Sequence, residues 1–425
     1  MSGTGEFSLS RVPQGATYSG WRIALVVIGG TISIPGFLMA AQIGAAMGLV
    51  DAAKAFALGC LVLGTLGAAT GVAGQRSGLS AHMLGQFAFG RMGGRAASLT
   101  IALSLVGWFG VISNIFGLAA HGLAQSILGG TVPVAGYIVG GGLLITGVTA
   151  AGFKGLDRLA LILVPVMFSF LLLAAWLSFD KVGSWVAPEQ ASLSVPVAVS
   201  AVVGSYIAGV AIQPDYARFA PSRRAALTSA FFALAVSFPV VLLCTAVPSV
   251  AASESDLFLV MTSLGIGIPA FLLLGLAAWS SNVLCMYSAA LSFVTLFATL
   301  RFAVAVVGIG VVGTGLALAN VQEWLTHYLV ILGIAIPPIV GIFAAEALLF
   351  GRDYSPAAYA RLPGFRWPAM SGWMAGIAAG TWSYMGGFSP TRSPALDSVG
   401  IALATFLIVS FCRGKSGREP DGVGF

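Results

Sequence analysis

Charged residues are scarce in this chain: 8% of its 425 residues are Asp, Glu, Lys or Arg, whereas 58% are hydrophobic. A soluble globular domain carries about 25% charged residues. A chain with so few charges cannot cover a folded surface in water, and this excludes a soluble globular protein. The composition therefore predicts an integral membrane protein whose outer surface faces the lipid bilayer.

Cysteines are also few, and titratable side chains are scarce in the middle of the apolar segments. The four cysteines lie singly in apolar segments, a spacing that predicts neither a disulfide framework nor a metal cluster. Of the fourteen acidic residues, thirteen fall in loops, in tails or at the ends of apolar segments, and Glu346 is the one inside a segment, near the cytoplasmic end of the tenth. His82 is predicted in a loop, and His121 and His327 near the outer face. The absence of a mid-membrane titratable group favours sodium over protons as a coupling ion. We also find no catalytic dyad, so an enzyme and an organic cofactor are not expected.

Twelve apolar segments are long enough to cross a bilayer, which takes about 20 residues. They lie at 22–49, 52–75, 94–122, 129–152, 156–179, 194–218, 225–251, 261–296, 301–319, 325–350, 370–390 and 395–412. With the N-terminus in the cytoplasm, seventeen of the twenty Lys and Arg residues fall on the inner side. The positive-inside rule then places both termini in the cytoplasm. The net charge of +6 thus reflects topology, and no nucleic-acid partner is implied.

The chain has no long polar linker, so we expect one multi-pass domain in the cytoplasmic (inner) membrane. Its parts are a cytoplasmic tail (1–21), a ten-helix transport core (22–350), a loop with two further helices (351–412) and a second cytoplasmic tail (413–425). The first twenty residues show no cleavable signal peptide. The oligomeric state is left open.

Glycine and small polar residues interrupt two of the segments. The first interruption is GGTISIPG at 29–36, and the second lies in VVGSYIAGVAIQPDYARF at 202–219. Breaks in the first helix of two consecutive five-helix units indicate inverted repeats with substrate and ions bound at the breaks. The alternative for each break is close helix packing by glycine. The matched pair favours five plus five plus two helices, an all-α membrane fold.

The eighth segment offers oxygen atoms that suit a small cation. Ser280 and Ser281 are adjacent, and Ala277 lies on the same helix face as Ser280. Two hydroxyls, the Ala277 carbonyl and carbonyls freed near Gly30 and Ser33 would form an all-oxygen shell, which hard cations prefer. Gly29 is the alternative to Gly30 at the first break. The two serines could instead bond to carbonyls one turn earlier in their own helix.

Aromatic residues near the breaks could hold a flat substrate. Trp108 adjoins Gly107 in an aliphatic helix, and Tyr206, expected at the second break, could supply an opposing ring. Stacking of a base on an aromatic side chain contributes about 1–3 kcal/mol. Asn282 can both donate and accept at the edge of a heterocycle, and Ser205 could add a contact. Packing against lipid or another helix is the alternative for Trp108.

These residues lie in a chain that resembles the nucleobase–cation symporter family of purine and cytosine permeases, in its cytosine permease branch. The resembling motifs are VPQGA at 12–16, GLSAHMLGQFAFG at 78–90, VGWFGV at 106–111, VVGSYIAG at 202–209, PDYARF at 214–219, WSSN at 279–282 and IPPIVGIFAAEALLFGR at 336–352. The resemblance implies a leucine-transporter-like fold and inward transport of a nucleobase-like heterocycle with sodium. It also implies that Trp108 and Tyr206 enclose the ring while Asn282 and Ser205 bond its edge. Sodium would bind the carbonyls of Gly30, Ser33 and Ala277 and the hydroxyls of Ser280 and Ser281.

Two residues depart from the cytosine permease pattern. Leu105 stands where those permeases carry glutamine, and Ala277 stands where they carry asparagine. Losing two amides points away from cytosine itself and towards a less polar ring, such as a substituted pyrimidine. For a proton-coupled symporter, the alternative substrate is a related heterocycle such as a hydroxymethylpyrimidine or a hydantoin. Ser104 and Gln42 are candidates to compensate. A proton-coupled symporter of the same fold and, less favoured, a channel are the alternative functions.

Overall fold

The computed structural model describes residues 10–13, 15–129, 132–180, 193–252, 267–297, 299–320, 325–351 and 353–415, and these residues form helices and turns without any strand. In chain order the helices are α1 (Gly20–Thr31), α2 (Ile34–Met47), α3 (Leu49–Ser77), α4 (Ala81–Phe89), α5 (Arg91–Leu128), α6 (Val134–Thr149), α7 (Phe153–Ser178), α8 (Val195–Ala211), α9 (Gln213–Ala217), α10 (Arg223–Phe231), a π-helical stretch (Phe232–Ser237), α11 (Phe238–Ala252), α12 (Gly267–Leu296), α13 (Phe302–Leu318), α14 (Leu325–Leu349), α15 (Pro356–Ala360), α16 (Trp367–Tyr384) and α17 (Pro394–Lys415). The start of the predicted segment at 261, residues 1–9 and 14 of the predicted N-terminal tail and residues 416–425 of the predicted C-terminal tail lie outside the described residues.

The described helices agree with twelve membrane segments. Seven of them are long and apolar enough to cross a bilayer, and the bent pair α1–α2 adds an eighth. The shorter apolar helices α6, α8 and α13, together with the 18-residue α16, complete the twelve. The eleventh segment is shifted from the predicted 370–390 because Pro368 lies in the first turn of α16 and Gly386, with φ of 85°, follows its end.

The first predicted break is present between α1 and α2. The α1 helix ends at Thr31, and α2 begins at Ile34 with Pro35 in its first turn. Proline lacks a backbone N–H and clashes with the preceding turn of a helix, so it fits best in the first turn, where that N–H has no partner within the helix. The two helix axes differ by 64°. The GGTISIPG stretch therefore forms a bent, interrupted span.

The second interruption lies within the predicted stretch 202–219, at Ile212, and therefore after Gly204, Ser205 and Tyr206. Helix α8 runs without a break through Ser205 and Tyr206 and ends at Ala211. Ile212 separates α8 from the five-residue α9, whose first turn contains Pro214. The expectation that Tyr206 lies at the second break was therefore wrong, since proline and not glycine sets its position.

The region between the second and third predicted segments is a helix and not a loop. Ser80 caps α4 by accepting a hydrogen bond from the N–H of Met83, and every residue of α4 is buried. The prediction of His82 in a loop was wrong, because α4 folds back among its neighbours and leaves the imidazole fully buried. Gly90 permits this, with φ of 83° and no room for a Cβ beside the Pro363 and Gly364 carbonyls.

The N-terminal residues lie over the end of the bundle that contains α4. The N–H of Val12 bonds to the Gly78 carbonyl at 3.0 Å, and the N–H of Tyr18 bonds to the Phe219 carbonyl at 2.9 Å. We call this end, formed by residues 10–13 and 15–19, α4 and the turn after α9, the basal end.

The long helices α5 and α12 pack along each other through the core, with α13 against both. The last two helices, α16 and α17, pack against each other and reach the core mainly through α14. The site described below lies where α1, α5, α8 and α12 meet.

Candidate substrate and ion site

The broken end of α1 supplies carbonyl groups. The last carbonyls of an α-helix have no partner within the helix. Here the Ile28 carbonyl accepts from the N–H of Ile32 at 3.1 Å and from the Thr31 hydroxyl at 2.7 Å. The Ser33 carbonyl accepts from the N–H of Phe37 at 3.0 Å, so it retains one lone pair for another partner. The turn from Gly29 to Ser33 is thus a source of backbone oxygens inside the bundle.

Helix α12 places its two serine hydroxyls against this turn. The Ser281 hydroxyl lies 3.5 Å from the Ile32 carbonyl oxygen. The Ser280 hydroxyl faces Gly29 so closely that a Cβ on this glycine would lie 2.6 Å from it. Ala277, one turn earlier on α12, is fully buried. The oxygen atoms expected to bind sodium therefore come from two helices that meet at the break.

The donor set fits a hard cation. It consists of neutral hydroxyl and carbonyl oxygens, the ligand type that sodium-like ions accept. No group of three or more His, Cys, Asp or Glu side chains that could hold a transition metal occurs among the described residues.

A narrow cavity opens beside the two serines. The residues that line it are Gly30, Ser33, Pro35, Leu105, Trp108, Ile112, Ser205, Tyr206, Ala208, Gly209, Ile212, Ser281, Leu284 and Cys285. Seven of the predicted site residues are in this set. The cavity combines one indole, one phenol and aliphatic side chains with a few hydroxyls, as small-molecule sites commonly do.

Trp108 and Tyr206 both line the cavity and are both largely buried. The Tyr206 hydroxyl donates to the Val27 carbonyl at 3.3 Å, and its ring packs against Phe238 with centroids 5.6 Å apart. Tyr206 thus also ties α8 to α1. Ser205 lines the cavity as well, while its hydroxyl donates to the Val202 carbonyl at 2.8 Å.

Ser104, Ala277, Ser280 and Asn282 are predicted site residues that lie outside the cavity lining. The Ser104 hydroxyl donates to the Ile101 carbonyl at 2.6 Å. The Asn282 amide nitrogen donates to the Ser113 hydroxyl at 2.9 Å, joining α12 to α5. The Asn282 amide oxygen is buried and has no hydrogen-bond partner among the described residues. Asn282 thus retains one acceptor that a substrate or a water could use.

Sequence reasoning missed several lining residues that helical spacing could have found. Leu284 and Cys285 follow Ser281 by three and four positions, so they share its face of α12. Ile112 lies one turn after Trp108 on α5. Gly209 leaves room for the Tyr206 ring, since a Cβ there would lie 2.4 Å from a ring carbon.

Known proteins were compared with the chain. Residues 11–402 match the model of a family described as permeases for cytosine/purines, uracil, thiamine and allantoin. The cytosine permeases of Escherichia coli K12 and of Escherichia coli O157:H7 are each 30% identical over 393 residues, covering 90% of this chain and 90% of each permease.

Solved structures show the same fold. The nucleobase-cation-symport-1 family transporter Mhp1, in a closed conformation with bromovinylhydantoin bound, superposes with a TM-score of 0.82 at 19% identity over 96% of this chain and 95% of that one. Its inward-facing conformation gives a TM-score of 0.75 at 18% identity over 97% of this chain and 99% of that one. A sodium-coupled sialic acid symporter gives 0.72 at 14% identity over 97% of this chain and 92% of that one. On the family match and the 30% identity, the chain is a transporter that belongs to the cytosine/purine permease family of nucleobase–cation symporters.

Proposed function

We propose that this permease carries a small planar heterocycle inward together with sodium, by alternating access. The observation that carries the proposal is the meeting of the Ser280 and Ser281 hydroxyls with the broken end of α1. An ion bound there would join two helices that belong to different parts of the bundle. A ligand shifts a conformational equilibrium only if it binds one state better than the other, and an ion that bridges two moving elements has this property.

The proposed sodium ligands are the carbonyls of Gly30, Ser33 and Ala277 and the hydroxyls of Ser280 and Ser281. Sodium bound at this place would hold α1 against α12 and so fix the wall of the cavity that Gly30 and Ser281 line. The sodium dependence named for the sialic acid symporter supports this choice. We also propose that the protein lies in the cytoplasmic membrane with both termini inside.

The proposed substrate stacks on Trp108, with Tyr206 on the other side and Ser205 and the free Asn282 oxygen at its edge. The relatives support a heterocycle: two are cytosine permeases, and one structure holds a hydantoin. Leu105 lines the cavity and offers no hydrogen bond. The relatives favour cytosine as a substrate. Leu105 favours a related ring with an apolar group on the side that faces it, such as a substituted pyrimidine or a hydantoin.

Two substitutions test the site, because one should weaken sodium binding and the other should weaken substrate binding. Ser281→Ala removes a hydroxyl ligand, and bonds to charged groups contribute about 1.5–3 kcal/mol. We expect the sodium concentration for half-maximal uptake to rise about tenfold or more, since 1.4 kcal/mol is a factor of ten. Trp108→Ala removes a stacking face worth about 1–3 kcal/mol and should raise KM for the heterocycle with little change in sodium dependence.

The assay is uptake of labelled heterocycle into proteoliposomes, with sodium and substrate varied in turn. Ser200→Ala is the matched control, because this exposed hydroxyl of α8 donates only to the Pro196 carbonyl. Sodium and substrate curves for Ser281→Ala and Trp108→Ala that match the control would contradict the site assignment.

Proton coupling is the second candidate function, and one observation favours it. The structure buries His82 and Asp215 completely, although the sequence predicted His82 in a loop. Uptake driven by a pH gradient with no sodium requirement would replace the sodium proposal with this one.

A further inference from the structure

The basal end contains a buried cluster of ionisable side chains that the proposed transport site does not use. His82 of α4 and Asp215 of α9 are fully buried, and Arg218, just after α9, is 3% exposed. Their partners include Tyr287 and Ser288 of α12. The cluster therefore joins three separate elements of the bundle near the second helix break. Burying such groups is costly unless they compensate one another.

His82 is held in one tautomer. Its Nε2 lies 3.0 Å from the Ser288 carbonyl oxygen, which can only accept, so Nε2 carries the hydrogen. The other ring nitrogen, Nδ1, is buried without a hydrogen-bond partner among the described residues. The ring is thus a neutral base with an unused lone pair.

Of the two carboxylate oxygens of Asp215, one has a hydrogen-bond partner among the described residues. Its Oδ1 accepts from the N–H of Ala81, in the first turn of α4, at 2.8 Å. Its Oδ2 lies 3.9 Å from His82 Nε2 and has no hydrogen bond to any described residue. His82 and Asp215 are therefore neighbours that each have one unused acceptor atom, Nδ1 and Oδ2, and the pair can take up one more proton.

Arg218 ties this pair to the rest of the basal end. Its Nε donates to the Asp215 carbonyl at 3.2 Å, and a terminal nitrogen donates to the Tyr287 hydroxyl at 3.1 Å. Arg218 also lines a polar cavity at the basal end, together with Arg11 and Arg76. The guanidinium thus lies between the buried pair and this cavity.

Few other charges face His82. On α5, which packs against α4, Arg91 and Arg95 are exposed. Glu346 of α14 pairs with Arg366, whose guanidinium also binds the Phe87 carbonyl near the far end of α4. Arg76 of α3 reaches the Ala347 carbonyl.

The remaining titratable groups near His82 are on α9 and α12. The Tyr216 hydroxyl bonds to the Ser288 hydroxyl at 3.2 Å, and Tyr287 bonds to Arg218. Burial lowers the pKa of His82, Asp215 acts to raise this pKa, and Arg218 acts to lower it further. Asp215 and Arg218 are therefore the charges that control its protonation.

We propose that His82 and Asp215 form a proton-binding site, and that one proton taken up from solvent by this pair opens the basal end. The added proton places a positive charge near Arg218, whose own charge already disfavours the charged ring, so the imidazolium and the guanidinium repel each other. The guanidinium is then repelled from Tyr287 towards the polar cavity that it already lines. This movement breaks the hydrogen bond between Arg218 and Tyr287 and so releases the turn after α9 from α12.

The direction of the pH effect follows from burial. In the closed arrangement burial lowers the pKa of His82, so the neutral ring is favoured. Opening hydrates the ring and returns its pKa towards the ordinary value of about 6.5. Protons thus bind the open arrangement better, and the open population rises as the pH falls through the open-state pKa. Each unit of difference between the two pKa values changes the ratio about tenfold.

The test is a distance measurement that needs neither sodium nor a substrate. Spin labels are attached at the exposed positions Arg91 and Arg224, on α5 and α10, after the four native cysteines are replaced by serine. Pulsed electron resonance is then recorded at pH values from 8 to 5. At each pH it gives the ratio of molecules with the longer distance between the labels to molecules with the shorter distance. We expect this ratio to rise about tenfold in the parent and less than twofold in His82→Gln, whose amide keeps a donor for the Ser288 carbonyl.

His121→Gln is the matched control, because this histidine bonds to the Val132 carbonyl away from the cluster and should keep the full response. A flat response in the parent, or an equal response in His82→Gln, would overturn the proposal. If His82→Gln does not fold, histidine C2–H exchange on the unmodified protein decides. A His82 midpoint below the ordinary histidine value of about 6.5 supports the site, and a midpoint at that value refutes it. Because sodium and substrate are absent, failure here leaves the proposed transport function standing.

Discussion

Gly29→Ala tests the contact between the broken helix and α12 most sharply. A Cβ at position 29 would lie 2.6 Å from the Ser280 hydroxyl oxygen and 3.1 Å from a methyl of Val164. Contacts below 3.0 Å force a movement, and one added methyl in a packed interior costs about 1–3 kcal/mol. Since Ser280 is the nearer neighbour, we expect its hydroxyl to be displaced from the turn that holds the proposed ion.

If the whole cost falls on ion binding, the sodium concentration for half-maximal uptake rises about 5-fold to 150-fold, because 1.4 kcal/mol is a factor of ten. The assay is uptake into proteoliposomes over a range of sodium concentrations. Gly308→Ala is the matched control, since a Cβ there meets nothing within 4 Å. An unchanged sodium curve for Gly29→Ala, in protein that folds normally, would refute the placement of the ion between α1 and α12.

Two further substitutions test specificity and packing. Leu105→Gln should shift competition for uptake towards cytosine and away from rings with an apolar substituent, by about tenfold, because it restores a hydrogen-bonding edge; an unchanged order of competitors would exclude Leu105 as a determinant. Gly94→Ala should lower the thermal unfolding midpoint, because its Cβ would lie 2.3 Å from the Gln86 Cα in α4, whereas Gly140→Ala meets nothing within 4 Å and should not. Equal midpoints for these two variants would show that the α4–α5 contact tolerates a shift.

The membrane fold and the first break could be predicted from the sequence because their signals are local. Twenty-residue apolar runs indicate spans without knowledge of tertiary contacts. Adjacent Gly29 and Gly30 followed by Pro35 indicate an interruption through the intrinsic properties of these residues. Helical spacing likewise placed Ser280 and Ser281 on neighbouring positions of one face of α12.

The buried cluster at the basal end could not be predicted, because its burial depends on tertiary packing. His82 lies in a stretch too short to span a bilayer, and only the packing of α4 against α5 and α12 shows that it is inside. Asp215 lies at a segment end in the sequence, yet it caps α4 from 134 positions away. Sequence distance gave no indication of that contact.

The contact of Asn282 with α5 was also not predicted. Its amide nitrogen donates to the Ser113 hydroxyl, whereas contact of its amide oxygen with a substrate stays a prediction. Helical spacing places a residue on a face of its own helix, but it does not tell which neighbouring helix provides a partner.

Whether sodium drives entry of a heterocycle is decided by uptake into proteoliposomes at fixed pH. Labelled cytosine and a labelled hydantoin with an apolar substituent are offered with an inward sodium gradient, and again with potassium in place of sodium. We expect accumulation of at least one ring above its external concentration with the sodium gradient only. Equal accumulation without sodium, or accumulation that follows a pH gradient alone, would contradict this expectation.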